Sequence, residues 1–310
     1  MSRGMFGSRD PYARRSGGSR ILQRLVIAAA LAAVPIAGIM IKGCQEGPFG
    51  RRQVVALNPE QEEALGLQAF QEVLAKERVV RQGPLVDVIR DIAVRLTAAA
   101  EKEGYLTKTQ QAQQDMNWAV EVVESEQQNA FCLPGGKIVV YTGILPVAQT
   151  DAGLAVVMGH EIAHALAHHG AERMAQQQMA QIGVMAAGGA LGDMPPEQRM
   201  AVMRAINAGT QFGIMKYGRA HESEADRMGL LLMAEAGYDP RESVKFWERM
   251  REFTGAQSQP EFLSTHPSHD TRVADLTAWM PEALTLYEAS AEKRPAKPLP
   301  DAGFRAAAVR

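Results

Sequence analysis

The sequence predicts an α+β fold, mostly helical with one small sheet, and three observations carry that prediction. Amphipathic stretches with helical spacing fill most of residues 54–280. The period drops to two only between Trp118 and Tyr141, on either side of a Pro134-Gly135-Gly136 turn. The 310 residues show no internal repeat and allow one large or two modest domains, with an ordinary hydrophobic share of 46%. A net charge of −2 leaves no basic excess for phosphates and excludes a general nucleic-acid binder. The two cysteines, Cys44 and Cys132, exclude a disulfide framework and a finger-type metal site.

Taken in order, residues 1–24 are rich in Gly, Ser and Arg, too polar to bury a core, and read as a disordered basic segment. The uncharged run Leu25 to Ile41 (residues 25–41) would cover roughly 25 Å as a helix, slightly short of a bilayer's hydrocarbon core. An uncleaved membrane anchor fits it best, because no Ala-x-Ala-like cleavage site follows. A lipoprotein held through Cys44 is the alternative, weakened by Lys42 just before it. Arginines outnumber the basic residues beyond the span, so the N-terminus is expected in the cytoplasm and the body outside the cytoplasmic membrane.

Residues 42–53 read as a linker. Asn58-Pro59-Glu60-Gln61 then carries the signature of a capped helix start, for a helix reaching about Glu77. A second helix is predicted over Leu85 to Glu101, with Leu85, Ile89, Ile92 and Leu96 facing inward. Strands are expected around Trp118 to Val123 and at Lys137 to Tyr141. A helix capped by Asp151 is expected to continue past Arg173, and another to cover Pro196 to Ala236, closed by Gly237. Shorter helices should run from Pro240 to Phe253 and from Asp270 to Trp279, and residues 281–310 read as a loose tail.

The chemistry concentrates in His160-Glu161-Ile162-Ala163-His164. At i and i+4 on a helix both imidazoles can reach one metal ion, with Glu161 between them as a base for water. A catalytic zinc site usually has three protein ligands. A third ligand at Gly170, or near Gly183, is ruled out by the residues there. Glu222 and Asp226, also at i and i+4, could supply a ligand and an acid that orients a ligand histidine, or simply form a solvated acidic face.

The segments Asn129-Ala130-Phe131-Cys132-Leu133-Pro134-Gly135-Gly136, Thr142-Gly143-Ile144-Leu145, His160 to His164, and Arg219 with Glu222-Ser223-Glu224-Ala225-Asp226 come in one order. That order resembles the membrane-associated zinc metallopeptidases that include HtpX, the CAAX prenyl proteases and the mitochondrial Oma-type proteases. The likeness covers roughly residues 54–280 and is nearest to a bacterial branch with a single anchor. It implies a zincin-like (gluzincin) domain over those residues, binding one Zn2+ through His160, His164 and Glu222. It further implies Glu161 as base, Asp226 as support, and Asn129, Ala130 and Phe131 at the edge of a substrate cleft. His266 also matches a family position, either donating to a developing oxyanion or occupying the metal until substrate displaces it. His168, His169 and His221 read as structural. The function implied is endopeptidase cleavage of unfolded or damaged membrane and envelope proteins. A zinc-containing, chaperone-like scaffold with a blocked site is the alternative.

Overall fold

The computed structural model describes residues 16–102, 116–192, 194–256, 262–263, 266 and 271–300. They fall into two compact units, one holding the chain up to Lys42 with Gln176–Ile214, the other Gly43–Ala175 with Met215 onward.

In the first unit, helix α1 (Ser16–Gly43) contains Pro35 without breaking. Its portion Leu22–Gly43 is long and apolar enough to cross a membrane. The expected span of residues 25–41 lies within it, but the helix begins earlier, so residues 16–24 are not the disordered segment expected. A helix nucleated by the apolar run propagates back through Leu22, Gln23 and Arg24, all good helix formers. Residues 1–15 lie outside the described residues.

The second unit corrects the expected linker of residues 42–53. Strand β1 (Cys44–Glu46) pairs antiparallel with β2 (Arg52–Val54), Cys44 opposite Val54. The connecting Gly47-Pro48-Phe49-Gly50 is a turn signal, and pairing the strands satisfies backbone groups that would otherwise face protein without partners. Helix α2 (Pro59–Lys76) starts with the expected capping box. The Asn58 side chain accepts from the Gln61 N–H at 2.8 Å, and the Gln61 side chain accepts from the Asn58 N–H at 3.0 Å. Strand β3 (Arg78–Val80) is too short for any periodicity to announce it. Helix α3 (Pro84–Glu101) buries Leu85, Ile89, Ile92 and Leu96, as its spacing predicts.

Strands β4 (Ala119–Glu124), β5 (Ala130–Leu133) and β6 (Lys137–Tyr141) join β3 in a four-stranded sheet of order β3-β4-β6-β5. β4 and β6 are parallel and the other pairs antiparallel, so β5 is an edge strand, paired with β6 along one side. After the short α4 (Leu145–Ala148), helix α5 (Asp151–Leu166) runs through the core and packs on α3, β5 and α8 (Glu242–Ala256). Its cap is Thr150, not Asp151: the Thr150 hydroxyl accepts from the Gly153 N–H at 3.0 Å. The Asp151 carboxylate instead accepts from the backbone N–H of Lys297 at 2.7 Å.

Helix α5 also ends earlier than expected. Its last turn closes at Ala167, His168 takes a φ of 54°, and a new helix α6 (His169–Ala190) begins. Helix α7 (Pro196–Glu235) returns to the second unit and ends at Gly237, whose φ of 84° suits a glycine cap. The last helix, α9 (Arg272–Ala289), continues through Pro281.

The expected loose tail of residues 281–310 is therefore corrected as far as residue 300. Arg294 donates its N–H to the Gly237 carbonyl, Lys297 and Asp151 exchange bonds, and Leu299 donates to the Gln149 carbonyl at 2.9 Å. Leu286, Tyr287 and Leu299 pack on the core, so apolar burial and these bonds together hold a segment whose composition looked unstructured. Residues 301–310 lie outside the described residues.

One close approach sets up the site. A Cβ on Gly229 of α7 would lie 2.8 Å from the His160 nitrogen and 2.9 Å from the Gly159 carbonyl carbon. Two helix backbones meet there without a side chain between them. Glu222 and Asp226 lie within two turns of that crossing and reach α5 from it.

Candidate metal centre

Four ligand-type atoms, from His160, His164, Glu222 and His266, lie within 4.8 Å of one another. Helix α5 supplies the first two on one face, as the i,i+4 spacing predicts. His160 Nε2 and His164 Nε2 are 3.0 Å apart. Glu222 places Oε2 at 3.4 Å from the first nitrogen and Oε1 at 3.5 Å from the second. A tetrahedral zinc site with bonds near 2.0–2.1 Å has edges of roughly 3.3–3.4 Å between ligand atoms, so the donor set fits that ion. His266 Nδ1 stands 3.1 Å from Glu222 Oε1 and 3.4 Å from His160 Nε2, inside the same cluster.

Further charged groups stand behind these four side chains. Asp226 Oδ1 lies 2.9 Å from His160 Nδ1, which turns His160 Nε2 towards the cluster. Arg272 is 1% exposed and donates from Nε to Asp226 at 2.6 Å and from a terminal nitrogen to Glu222 at 2.9 Å. Its guanidinium also lies over the Trp247 ring, 3.9 Å from the centroid. Glu161 is buried beside the cluster, its Oε1 without a hydrogen-bond partner among the described residues and 3.4 Å from His266 Nε2. The Cys132 backbone of β5 is among the groups that favour the charged form of Glu161.

Burial dominates the electrostatics and is overridden where carboxylates gather. For His160 burial opposes the charge, but hydrogen bonds to Asp226 and Glu222 outweigh it and push the pKa up to about 10. Burial would raise Glu222, yet His160 and His266 hold it far below the usual carboxylate range. Glu161 moves the other way: burial raises it, and the opposing pull of His266 and His160 does not cancel the rise. Burial, then repulsion from His160, keeps His164 well below 6.5. Cys132 is raised by burial, in line with its reading as a packed small residue.

Every site residue expected from the sequence thus has a place. His160, His164, Glu222 and His266 converge, Glu161 flanks them and Asp226 backs His160. Asn129, Ala130 and Phe131 line a cleft of about 240 Å³ together with Glu161, His164 and His266. Sequence reasoning missed Arg51 and Glu172 altogether. The helix expected to continue past Arg173 would put His168 on the face of His164, whereas the break at His168 turns His168 to Glu62 at 2.8 Å and gives His169 to His164 at 2.8 Å. In an unbroken helix a residue five positions on would lie roughly 140° away from His164.

A His-Glu-x-x-His helix, a distant glutamate on a crossing helix and a strand edge above them define the class: metallopeptidases of the zincin kind. Comparison with known proteins narrows it. The model of Peptidase family M48 matches residues 98–280, and the chain belongs to that family. It is 34% identical to the mitochondrial metalloendopeptidase OMA1 of Saccharomyces cerevisiae, over 67% of this chain and 60% of that protein. The human mitochondrial metalloendopeptidase OMA1 is 38% identical over 56% of this chain and 34% of its own length. A putative beta-barrel assembly-enhancing protease of Vibrio cholerae is 35% identical over 50% of this chain and 33% of its own. The chain therefore spans 60% or less of the length of these relatives.

Proposed function

We propose that the protein is a zinc-dependent endopeptidase of unfolded or damaged membrane and envelope proteins, tethered by α1 with its body outside the cytoplasmic membrane. The observation that carries the reading is the convergence of His160, His164 and Glu222 beside Glu161, under β5 at the edge of the sheet. One Zn2+ held by those three residues would supply Lewis acidity, polarising the scissile carbonyl and acidifying water. Glu161, with a raised pKa and a free Oε1, takes the proton of the attacking water and returns it to the leaving amine. An extended substrate backbone adds to β5 at Asn129 to Phe131, which reads main chain more than side chains and suits unfolded clients. Asp226 and Arg272 keep His160 and Glu222 in place. The basic residues before α1 support a cytoplasmic N-terminus.

A second reading has one observation in its favour. His266 Nδ1 lies among the ligand atoms, as it would in a site held closed, and a closed site suits a scaffold that binds clients without cutting them. The two readings separate in one assay with the full chain in detergent, zinc and casein. The endopeptidase reading expects cleavage that falls roughly 10²–10⁴-fold in Glu161→Gln while zinc stays bound. Client binding without cleavage, indifferent to Glu161→Gln, would instead establish the scaffold. Equal cleavage by both forms would remove Glu161 from the mechanism.

A further inference from the structure

Among the described residues, His164 lacks what His160 has, a carboxylate behind its ring. Its Nδ1 meets another imidazole instead, His169 Nδ1 at 2.8 Å. His169 is 1% exposed, and its Nε2 lies 2.9 Å from Glu224 Oε2. That same oxygen accepts from Arg51 Nε at 2.7 Å. Arg51 also donates two bonds to Glu172, at 3.0 and 2.8 Å, and His221 Nε2 lies 2.9 Å from Glu172. The His169 and His221 rings are stacked, 4.3 Å between centroids.

The order of protons along this chain follows from its fixed end. A guanidinium can only donate, so Glu224 Oε2 is an acceptor and His169 Nε2 must bring the proton to it. His169 is buried, stacks on His221 and shares Glu224 with the permanent cation Arg51, all of which disfavour a second proton, so it is neutral with that single one. Its Nδ1 then has only a lone pair to offer, and His164 Nδ1 must donate to it. The proton of His164 is thereby kept off Nε2, and that nitrogen's lone pair faces Glu222 and His160.

We infer that His169, Glu224 and Arg51 form a positioning relay that fixes the tautomer of His164 for zinc, and that Arg51 makes the β1–β2 hairpin part of the metal centre. The hairpin follows α1 directly, so the segment leaving the apolar helix reaches the ligand sphere through two side chains. This relay rests on the assignment of His164 as a zinc ligand. Removing such an outer partner typically weakens metal binding 10–100-fold.

The test uses the full chain in detergent, with Zn2+ titrated against a chelator of known affinity. His169→Phe keeps a ring for the His221 stack and loses both nitrogens; His169→Gln keeps one acceptor and one donor. Zinc affinity should fall 10–100-fold in the first and stay within about threefold of the parent in the second. Equal affinity in His169→Phe, or an equal loss in both variants, would overturn the relay. A second readout stands apart from folding of the variants. In the zinc-loaded parent, 15N spectra should show His169 with a bare Nδ1 and a protonated Nε2, and a protonated Nδ1 would overturn the proton order. Failure of the parent itself to bind zinc would be a failure of the metal-site reading instead.

Discussion

Gly229→Ala is the sharpest test of how the centre is assembled. The added Cβ would lie 2.8 Å from the His160 nitrogen and 3.0 Å from its Cα, both backbone atoms that no rotamer change can move. Ordinary contact begins near 3.4 Å, so α5 and α7 must part by about 0.6 Å. Overpacking of this kind costs about 1–3 kcal/mol of stability. Its effect on the site should be larger in proportion, because metal–ligand distances tolerate only about 0.2 Å. Glu222 rides on α7 while His160 and His164 ride on α5, so a shift about three times that tolerance falls between the ligands. Zinc affinity, measured by chelator competition, should drop at least about tenfold, with a modest loss in thermal stability. A variant with parental zinc affinity would refute the claim that this backbone crossing sets the ligand geometry.

Two further outcomes are expected. Arg272→Met, which leaves Asp226 and Glu222 buried without their guanidinium, should lose about 3–5 kcal/mol in denaturant titrations of the zinc-free protein. A loss under about 1 kcal/mol would mean the pair is compensated elsewhere. Burial raises Glu172, but hydrogen bonds from His221 and Arg51 win and hold it below 4.5. Its contribution is therefore complete above pH 4.5 and lost as the pH falls through the lower folded value; Glu172→Gln should flatten that part of the acid-unfolding curve.

The parts of the site legible in the sequence are those fixed by spacing within one helix. His160, Glu161 and His164 need only the 3.6-residue repeat, and Glu222 with Asp226 the same repeat on α7. The partnership of the two helices was not legible from spacing, because it depends on Gly159 and Gly229 meeting across the core; only resemblance to a family connected them. Arg51 carried no signal at all. It stands in a short polar segment that looks like a linker until β1 and β2 are seen to pair, and its partners Glu172 and Glu224 are far away in sequence. The swap of His168 for His169 has a plain cause as well. Ala-Leu-Ala before them holds no breaker, so periodicity continued the helix, whereas Glu62 and a positive φ at His168 end it. The strand β3 and the docked residues 290–300 were missed for the matching reason, since their stability comes from partners distant in sequence.

The charge inventory of the centre explains why these groups share one buried place. Glu161, Glu222 and Asp226 bring three carboxylates into the core, and Arg272 is the one permanent cation among the described residues that touch them. Two negative charges remain, in surroundings where an unpaired charge is costly. His160, beside Asp226 and Glu222, responds by holding a proton, its pKa pushed up to about 10, while His164 next to it is held well below 6.5. A divalent cation at the convergence of the His160 Nε2, the His164 Nε2 and a Glu222 oxygen would balance the same two charges without a proton on either nitrogen. Proton and metal would then compete for one position, and on the proposed zinc assignment lowering the pH should release the ion by protonating His160 before the fold is lost. Zinc retention followed against pH, beside a far-UV signal of folding, separates the two events; their coincidence would mean that the ion is held by the fold as a whole and not by this balance of charge.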